Sequence, residues 1–401
     1  MGNSTIQDAM EHHQNGRLAE AESIYLRLLQ ASPNDSEALH CLGVLRMNQG
    51  KRDEAIALVK KSVNLAPGNA HAWNNLGNML VTTKEAQAAE YCYLRATTLK
   101  PDLAEAWYNL GNVYRRERRR DDAVKCFRRV VELHPRFANA YENLAMLLKQ
   151  LGQPELTGEI FRQWREAEPD NPIARHMAVA YSNEQAPARA DDAYVVELFD
   201  RFAKRFDKTL AMLHYAAPSL LVGALSEMIP FAERRLVVLD AGCGTGLCGV
   251  LLRSTSKQLI GVDLSAGMLE VAKERNVYDE LHESELVAFM RAHPASYDLV
   301  ISGDTLVYFG ALEEAMSAAA GALRAGGLLA FTVEAEPKDS REKFKLHNHG
   351  RYTHGAQYVR ECIEAAGFPI LQLQDGVLRQ EAGADVLGYV VVAKLGSGPK
   401  S

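Results

Sequence analysis

The residue types best suited to chemistry fall in one run, Asp240-Ala-Gly242-Cys-Gly244-Thr-Gly246, directly after the apolar stretch LVVL. Glycines at alternate positions after a strand let the backbone close on a ligand, and a helix starting near Leu247 directs its N–H groups there. A second acid, Asp263, ends the next apolar run and can accept both hydroxyls of a ribose. A literal GxGxxG is also present at Gly244, Gly246 and Gly249, the spacing of dinucleotide sites. It starts too late after the strand, and an acid on the last strand residue would repel a pyrophosphate. That acid suits a ligand with a cationic amino acid moiety.

Further candidates lie downstream. SGDTLVYFG (302–310) offers Asp304 and Tyr308, and HNHGRYTHGAQYVRE (347–361) places His347, His349 and His354 before a helix. A histidine can serve as base where a nucleophile carries a proton. No matching carboxylate motif accompanies the three, so no metal is expected. Upstream, Phe199, Phe202 and Phe206 share one helical face, a pattern of core packing.

These residues need a scaffold. Apolar runs at 236–240, 258–263, 297–302 and 327–334 read as strands, with helical patterns at 247–255, 266–275, 311–324 and 355–366. Alternation of this kind predicts a mainly parallel sheet covered on both faces, with the ligand beyond the strand ends where the topology reverses. The polar stretch SNEQAPARADDA (182–193) marks the start of this domain.

The first half has a different grammar. Pro33, Pro67, Pro101, Pro135 and Pro169 recur every 34 residues, followed in step by Leu42, Leu76, Leu110 and Leu144 and by Gly43, Gly77, Gly111 and Ala145. Such a unit is two helices and two turns. With GNAHAWNNLGNML and DLAEAWYNLGNVY, the segment resembles the tetratricopeptide repeat, in five units with residues 172–185 as a cap. The first unit departs from the pattern at Thr5 and Ala9. Arrays of this kind wind into a superhelix with a concave binding face. Asn75, Asn109 and Asn143 share one register and Asn78 and Asn112 another. The resemblance implies either an amide ladder for an extended peptide or ordinary repeat vocabulary. The RRERRR run at 115–120 reads as a solvated turn, offset by nearby acids.

DAGCGTG followed by GVDLS resembles the first two motifs of class I S-adenosylmethionine-dependent methyltransferases. The whole chain is similar to bacterial methyltransferases that carry tetratricopeptide repeats. The implied architecture is multidomain: an all-α repeat superhelix over 1–185, then an α/β Rossmann-like methyltransferase domain over 186–401. The resemblance implies that Gly242, Gly244 and Gly246 pass under the methionyl part of S-adenosylmethionine, with Cys243 beside them. Asp240 would hold the amino group, Asp263 the ribose, and Leu264, Met268 and Leu286 the adenine. The acid for the adenine amino group is shifted to Glu285. His354, Tyr308 and Asp304 become catalytic candidates, and Tyr215, on a segment that covers the cofactor in similar enzymes, a substrate candidate. The Asn/Asp-Pro-Pro-Tyr signature of amide and exocyclic-amine methylation is absent, as is a paired-glutamate loop of arginine methylation.

Bulk properties agree with a folded enzyme. The chain has 401 residues, 24% charged, a net charge of −6, and six cysteines without a CxxC spacing. Residues 1–180 are nearly neutral and residues 181–401 carry the acidic excess. Neither nucleic acid nor membrane is an expected partner, and a cytoplasmic location is expected. The expected activity is methyl transfer to a peptide or protein-borne acceptor held by the repeats, leaving S-adenosylhomocysteine. A small-molecule O- or C-methyltransferase whose repeats only oligomerise or localise it, and a scaffold that senses the cofactor, are the alternatives.

Overall fold

The computed structural model describes residues 5–82, 85–229 and 234–396. Two compact units divide between Glu168 and Pro169. Unit one holds five helix pairs: α1 (Ile6–Gln14) with α2 (Leu18–Ala31), α3 (Ser36–Asn48) with α4 (Arg52–Leu65), α5 (Ala70–Thr82) with α6 (Ala86–Leu99), α7 (Ala104–Arg116) with α8 (Arg120–Leu133), and α9 (Ala138–Gln150) with α10 (Pro154–Ala167). Each helix packs on the one before it.

The small residues of the repeat have a steric cause. A Cβ on Gly43 would lie 2.5 Å from Val59, on Gly77 2.6 Å from the Tyr93 ring, and on Gly111 2.9 Å from the Phe127 ring. Glycine on the first helix therefore makes room for the large residue on the second, whose burial contributes about 1.5–3 kcal/mol. In the first unit Ala9 packs in one cluster with Tyr25, and Thr5, its side chain accepting from Asp8 N–H, caps α1. The departure at Thr5 and Ala9 is thus a helix start with its own packing. After the prolines, Trp73 and Trp107 donate Nε1–H to the carbonyls of Pro67 and Pro101, tying each turn to the next helix.

Unit two opens with α11 (Pro172–Ala180), expected as the cap of the repeats. It belongs instead with the second unit: His176 lies against Gly350 O at 2.8 Å and stacks on Tyr194. Two helices follow, α12 (Asp192–Met212) and α13 (Ala217–Ser226). The alternating part runs β1 (Leu236–Ala241), α14 (Leu247–Leu252), β2 (Ser256–Asp263), α15 (Ala266–Glu274), β3 (Glu280–Glu283), α16 (Leu286–Ala292), β4 (Tyr297–Ser302), α17 (Glu313–Ala322) and β5 (Leu323–Ala335). Then come β6 (Phe344–Leu346), β7 (Tyr352–His354), α18 (Ala356–Ala365), β8 (Ile370–Glu381) and β9 (Ala384–Lys394).

Among the described residues these strands make one sheet in the order β3-β2-β1-β4-β5-β7-β6, with β9 antiparallel to β5 and β8 to β9. β1 pairs in parallel with both β2 and β4, so the chain direction of winding reverses beside β1. Successive strand residues feed opposite faces: Leu239 and Val300 enter one apolar cluster, Val238, Leu299 and Ile301 another. Burial on both faces accounts for the unbroken apolar runs. No single helix among the described residues is long and apolar enough to cross a membrane.

Candidate active site

A cavity of about 310 Å³ opens at the carboxyl ends of β1, β2 and β4, with α12 across it. The glycine turn forms its floor. Gly242, Gly244 and Gly246 all have positive φ, of 79°, 54° and 90°. At Gly242 there is also no room: a Cβ would stand 2.2 Å from Thr305 Oγ1, which donates to Gly242 O across the β1–β4 gap. At Gly244 the space above the backbone is open.

Asp240 lies below this turn with 1% of its surface exposed. Tyr278 OH donates to its Oδ2 at 2.6 Å, while Oδ1 has no partner among the described residues. Burial pushes its carboxyl up to about 7, against the Tyr278 hydrogen bond that favours the ionised form. Asp263 ends β2 and accepts from Gly244 N–H and Ser265 N–H at 2.8 and 2.9 Å. It fixes the turn from the neighbouring strand, and burial raises its carboxyl as well.

Leu264, Met268, Leu286 and Cys243 line the cavity. Burial pushes the Cys243 thiol up, away from nucleophilic use. Glu285 reaches the cavity edge, yet it caps α16, accepting from Val287 and Ala288 N–H, and pairs with Arg189 at 2.8 Å. Its carboxylate is a helix cap and ion-pair partner rather than a free loop acid.

α12 is the wall. Phe199, Phe202 and Phe206 line the cavity, and Phe199 meets the Tyr308 ring edge-on at 5.5 Å. Two carboxylates from the same helix tie it down. Asp200 accepts from Ser265 Oγ and Gly267 N–H, and Asp207 from Thr245 Oγ1 and Arg275. The face read as core packing thus covers the ligand space, and Asp207 bonds to the glycine turn.

At the far end stand Asp304, Tyr308 and Tyr215, all lining the cavity. Burial raises both tyrosine hydroxyls, so they stay protonated at neutral pH. Asp304 has φ of 60°, and its N–H donates to Thr332 Oγ1. Its Oδ2 takes Arg379 Nη1 at 2.6 Å, and its Oδ1 is buried without a partner among the described residues.

His354 is not where a substrate-side base is needed. It is 0% exposed, lies with Nε2 3.2 Å from Gly310 O, and is absent from the cavity lining. Burial lowers its imidazole to about 4, so it stays neutral. β7 carries it into the core beside Phe344 and Tyr358, which corrects the sequence expectation. His347 is taken up by Glu336 and Thr353, and His349 lies 3.7 Å from Glu334.

Sequence reasoning missed an ionic cluster behind Asp304. Arg379 donates from Nε, Nη1 and Nη2 to Glu381, Asp304 and Glu334, and Arg351 donates to Glu334 and Glu381. A signal existed: Glu334 and Glu336 end the buried run LLAFTV, where an unpaired charge would cost several kcal/mol. Tyr278 was also missed, in a polar stretch after α15.

In the repeats the asparagine registers hold neighbours together. Asn75 Nδ2 lies 2.9 Å from His40, Asn109 Nδ2 donates to Asn74 and Asn78, and Asn143 Nδ2 to Tyr108. Asn78 also accepts from Tyr93, and Asn112 from Arg115.

Comparison with known families agrees with both units. Residues 239–331 match a methyltransferase domain, and residues 12–77, 70–103, 104–137 and 126–157 match tetratricopeptide repeats. The chain joins tetratricopeptide repeats to a class I methyltransferase domain. The chain is 40% identical over 92 residues to methyltransferase-like protein 27 of Homo sapiens, covering 23% of this chain and 38% of that protein. It is 30% identical over 150 residues to malonyl-[acyl-carrier protein] O-methyltransferase of Yersinia pestis, covering 37% and 54%. The chain spans less than two thirds of either relative. Among solved structures, MamA is 30% identical with a TM-score of 0.38, covering 41% of this chain and 96% of its own.

Proposed function

We propose that the chain transfers a methyl group from S-adenosylmethionine to a nucleophile on a peptide or protein-borne acceptor that the repeats hold. The observation that carries the cofactor is Asp240 Oδ1, a buried acceptor without a donor at the glycine turn. An ammonium fits there, and its charge offsets the cost of burying the carboxylate. Gly244 leaves the backbone open to the methionyl chain, Asp263 faces the ribose, and Leu264, Met268 and Leu286 give the adenine an apolar bed. When bound, S-adenosylmethionine supplies a methyl group already activated on sulfonium.

The protein's share is then positioning and exclusion of water, which accounts for much of the acceleration in such reactions. α12 with its phenylalanines shields the site, and Asp200 and Asp207 hold it over the turn. The peptide acceptor rests on the repeats, which recur in peptide-binding arrays. A small-molecule acceptor is the second reading, favoured by the aromatic wall of the cavity. Calorimetric titration with S-adenosylhomocysteine, with NAD as control, tests the cofactor. Micromolar affinity for the first alone supports the proposal; equal or absent binding refutes it. Transfer of labelled methyl into peptides rather than lysate metabolites separates the two acceptors.

A further inference from the structure

The far end of the cavity is acidic, and its guanidinium groups are spent. Arg379 and Arg351 are shared among Asp304, Glu334 and Glu381, so two cations face three carboxylates. Over the whole lining, six carboxylates stand against three guanidinium groups. An ionised carboxylate entering here adds a further anion where no guanidinium lacks an acid. What the site does lack is a donor: Asp304 lines the cavity, and its Oδ1 is buried and accepts from nothing among the described residues. A buried acceptor left unpaired is destabilising, and a ligand's O–H or N–H relieves it. Opposite it stands the apolar wall of Phe199, Phe202 and Phe206.

We propose that the group methylated here is an alcohol, phenol or amine on an apolar stem, received by Asp304 Oδ1, and that ionised carboxylates are excluded. The inference rests on the methyltransferase reading. Asp304 accepts the hydrogen bond and then the proton. The acceptor's lone pair forms the new bond to the methyl carbon, the C–S bond breaks with its electrons left on sulfur, and the acceptor's proton passes to Asp304. Arg379 is a positioning residue: it holds Oδ2 and leaves Oδ1 without a partner. Burial makes the Asp304 carboxylate more basic, and the nearby Arg379 opposes that shift.

The test uses the full chain saturated with S-adenosylhomocysteine and three probes of one shape: 2-phenylethanol, 2-phenylethylamine and 3-phenylpropionate, followed by ligand-observed NMR. The alcohol and amine are expected to bind at least tenfold more tightly than the carboxylate, with Asp304→Asn erasing most of the amine's advantage. The wild-type ranking stands by itself should that variant not fold. Equal or tighter binding of 3-phenylpropionate overturns the inference, as does binding of none of the three. Failure of S-adenosylhomocysteine itself to bind is read separately, in the first titration, and refutes the cofactor reading on which this one depends.

Discussion

Asp240→Asn separates the two roles of the buried acid. In the unfolded chain its carboxyl ionises near the ordinary 3.8, whereas in the fold it holds its proton to about 7. Between those values the unfolded form loses its proton and the folded form keeps it, so stability from this group falls as pH rises, and the cost is complete above 7. At about 1.36 kcal/mol per pH unit the interval corresponds to on the order of 4 kcal/mol. Asparagine stays neutral and its Oδ1 still accepts from Tyr278. The variant is therefore expected to match wild type near pH 4 and to exceed it by a few kcal/mol at pH 8, while binding S-adenosylhomocysteine at least tenfold more weakly. Trp73, Trp107 and Trp164 all lie in the repeats, so fluorescence reports the wrong unit. Hydrogen exchange of β1 and β4 amides at pH 5 and pH 8 reads the right one, with tryptophan fluorescence as an internal control. Parallel pH dependence in the two proteins refutes the reasoning.

Gly242→Ala meets both a positive φ and Thr305, and a cost of about 1–3 kcal/mol with loss of S-adenosylhomocysteine binding is expected by thermal denaturation and calorimetry. Asn109→Ala removes two inter-repeat hydrogen bonds; a loss of about 1–2 kcal/mol in urea unfolding followed by tryptophan fluorescence, with cofactor affinity unchanged, is the expected outcome. His354→Asn leaves the shape of the pH–rate profile from 5 to 8 intact, since the wild-type ring is neutral there; loss of an inflection near 6.5 argues otherwise. Neutral burial of His354 stabilises fully above its ordinary 6.5, and that contribution is lost as pH falls towards about 4. Asp207→Ala frees α12 from Thr245 and Arg275, so S-adenosylhomocysteine should dissociate several-fold faster in stopped-flow displacement.

What was legible in the sequence is what periodicity and steric demand write there. The 34-residue proline period marks helix pairs because glycine and aromatic positions must fit one another, as Gly77 and Tyr93 do. The four apolar runs marked β1, β2, β4 and β5 because both faces of those strands are buried. β8 escaped notice because QLQDGVLRQE mixes charge into an edge strand, where one face need not be apolar; β9, between β5 and β8, carries the buried run YVVVA, a signal that was present and not read. Asp240, Gly242 and Asp263 were readable as a local motif. Asp304 and Tyr308 were named from the sequence too, but the ionic cluster behind them was not: Asp304 meets Arg379 across 75 residues, and no local spacing encodes that encounter. His354 misled for the converse reason, since a histidine among polar neighbours gives no sign that β7 will carry it into the core.

Tyr278 has a consequence for sequence variation. Its ring lies where a Cβ would stand on Gly246, Gly249 and Gly261, at 2.9, 2.4 and 3.0 Å, and its hydroxyl reaches Asp240. The third glycine of the apparent dinucleotide motif is therefore room for a tyrosine. Among homologues, side chains at position 249 should appear only where position 278 has lost its ring, so that these positions drift as a coupled set. A motif search that scores Gly249 alone reads the imprint of a neighbour as a nucleotide signature.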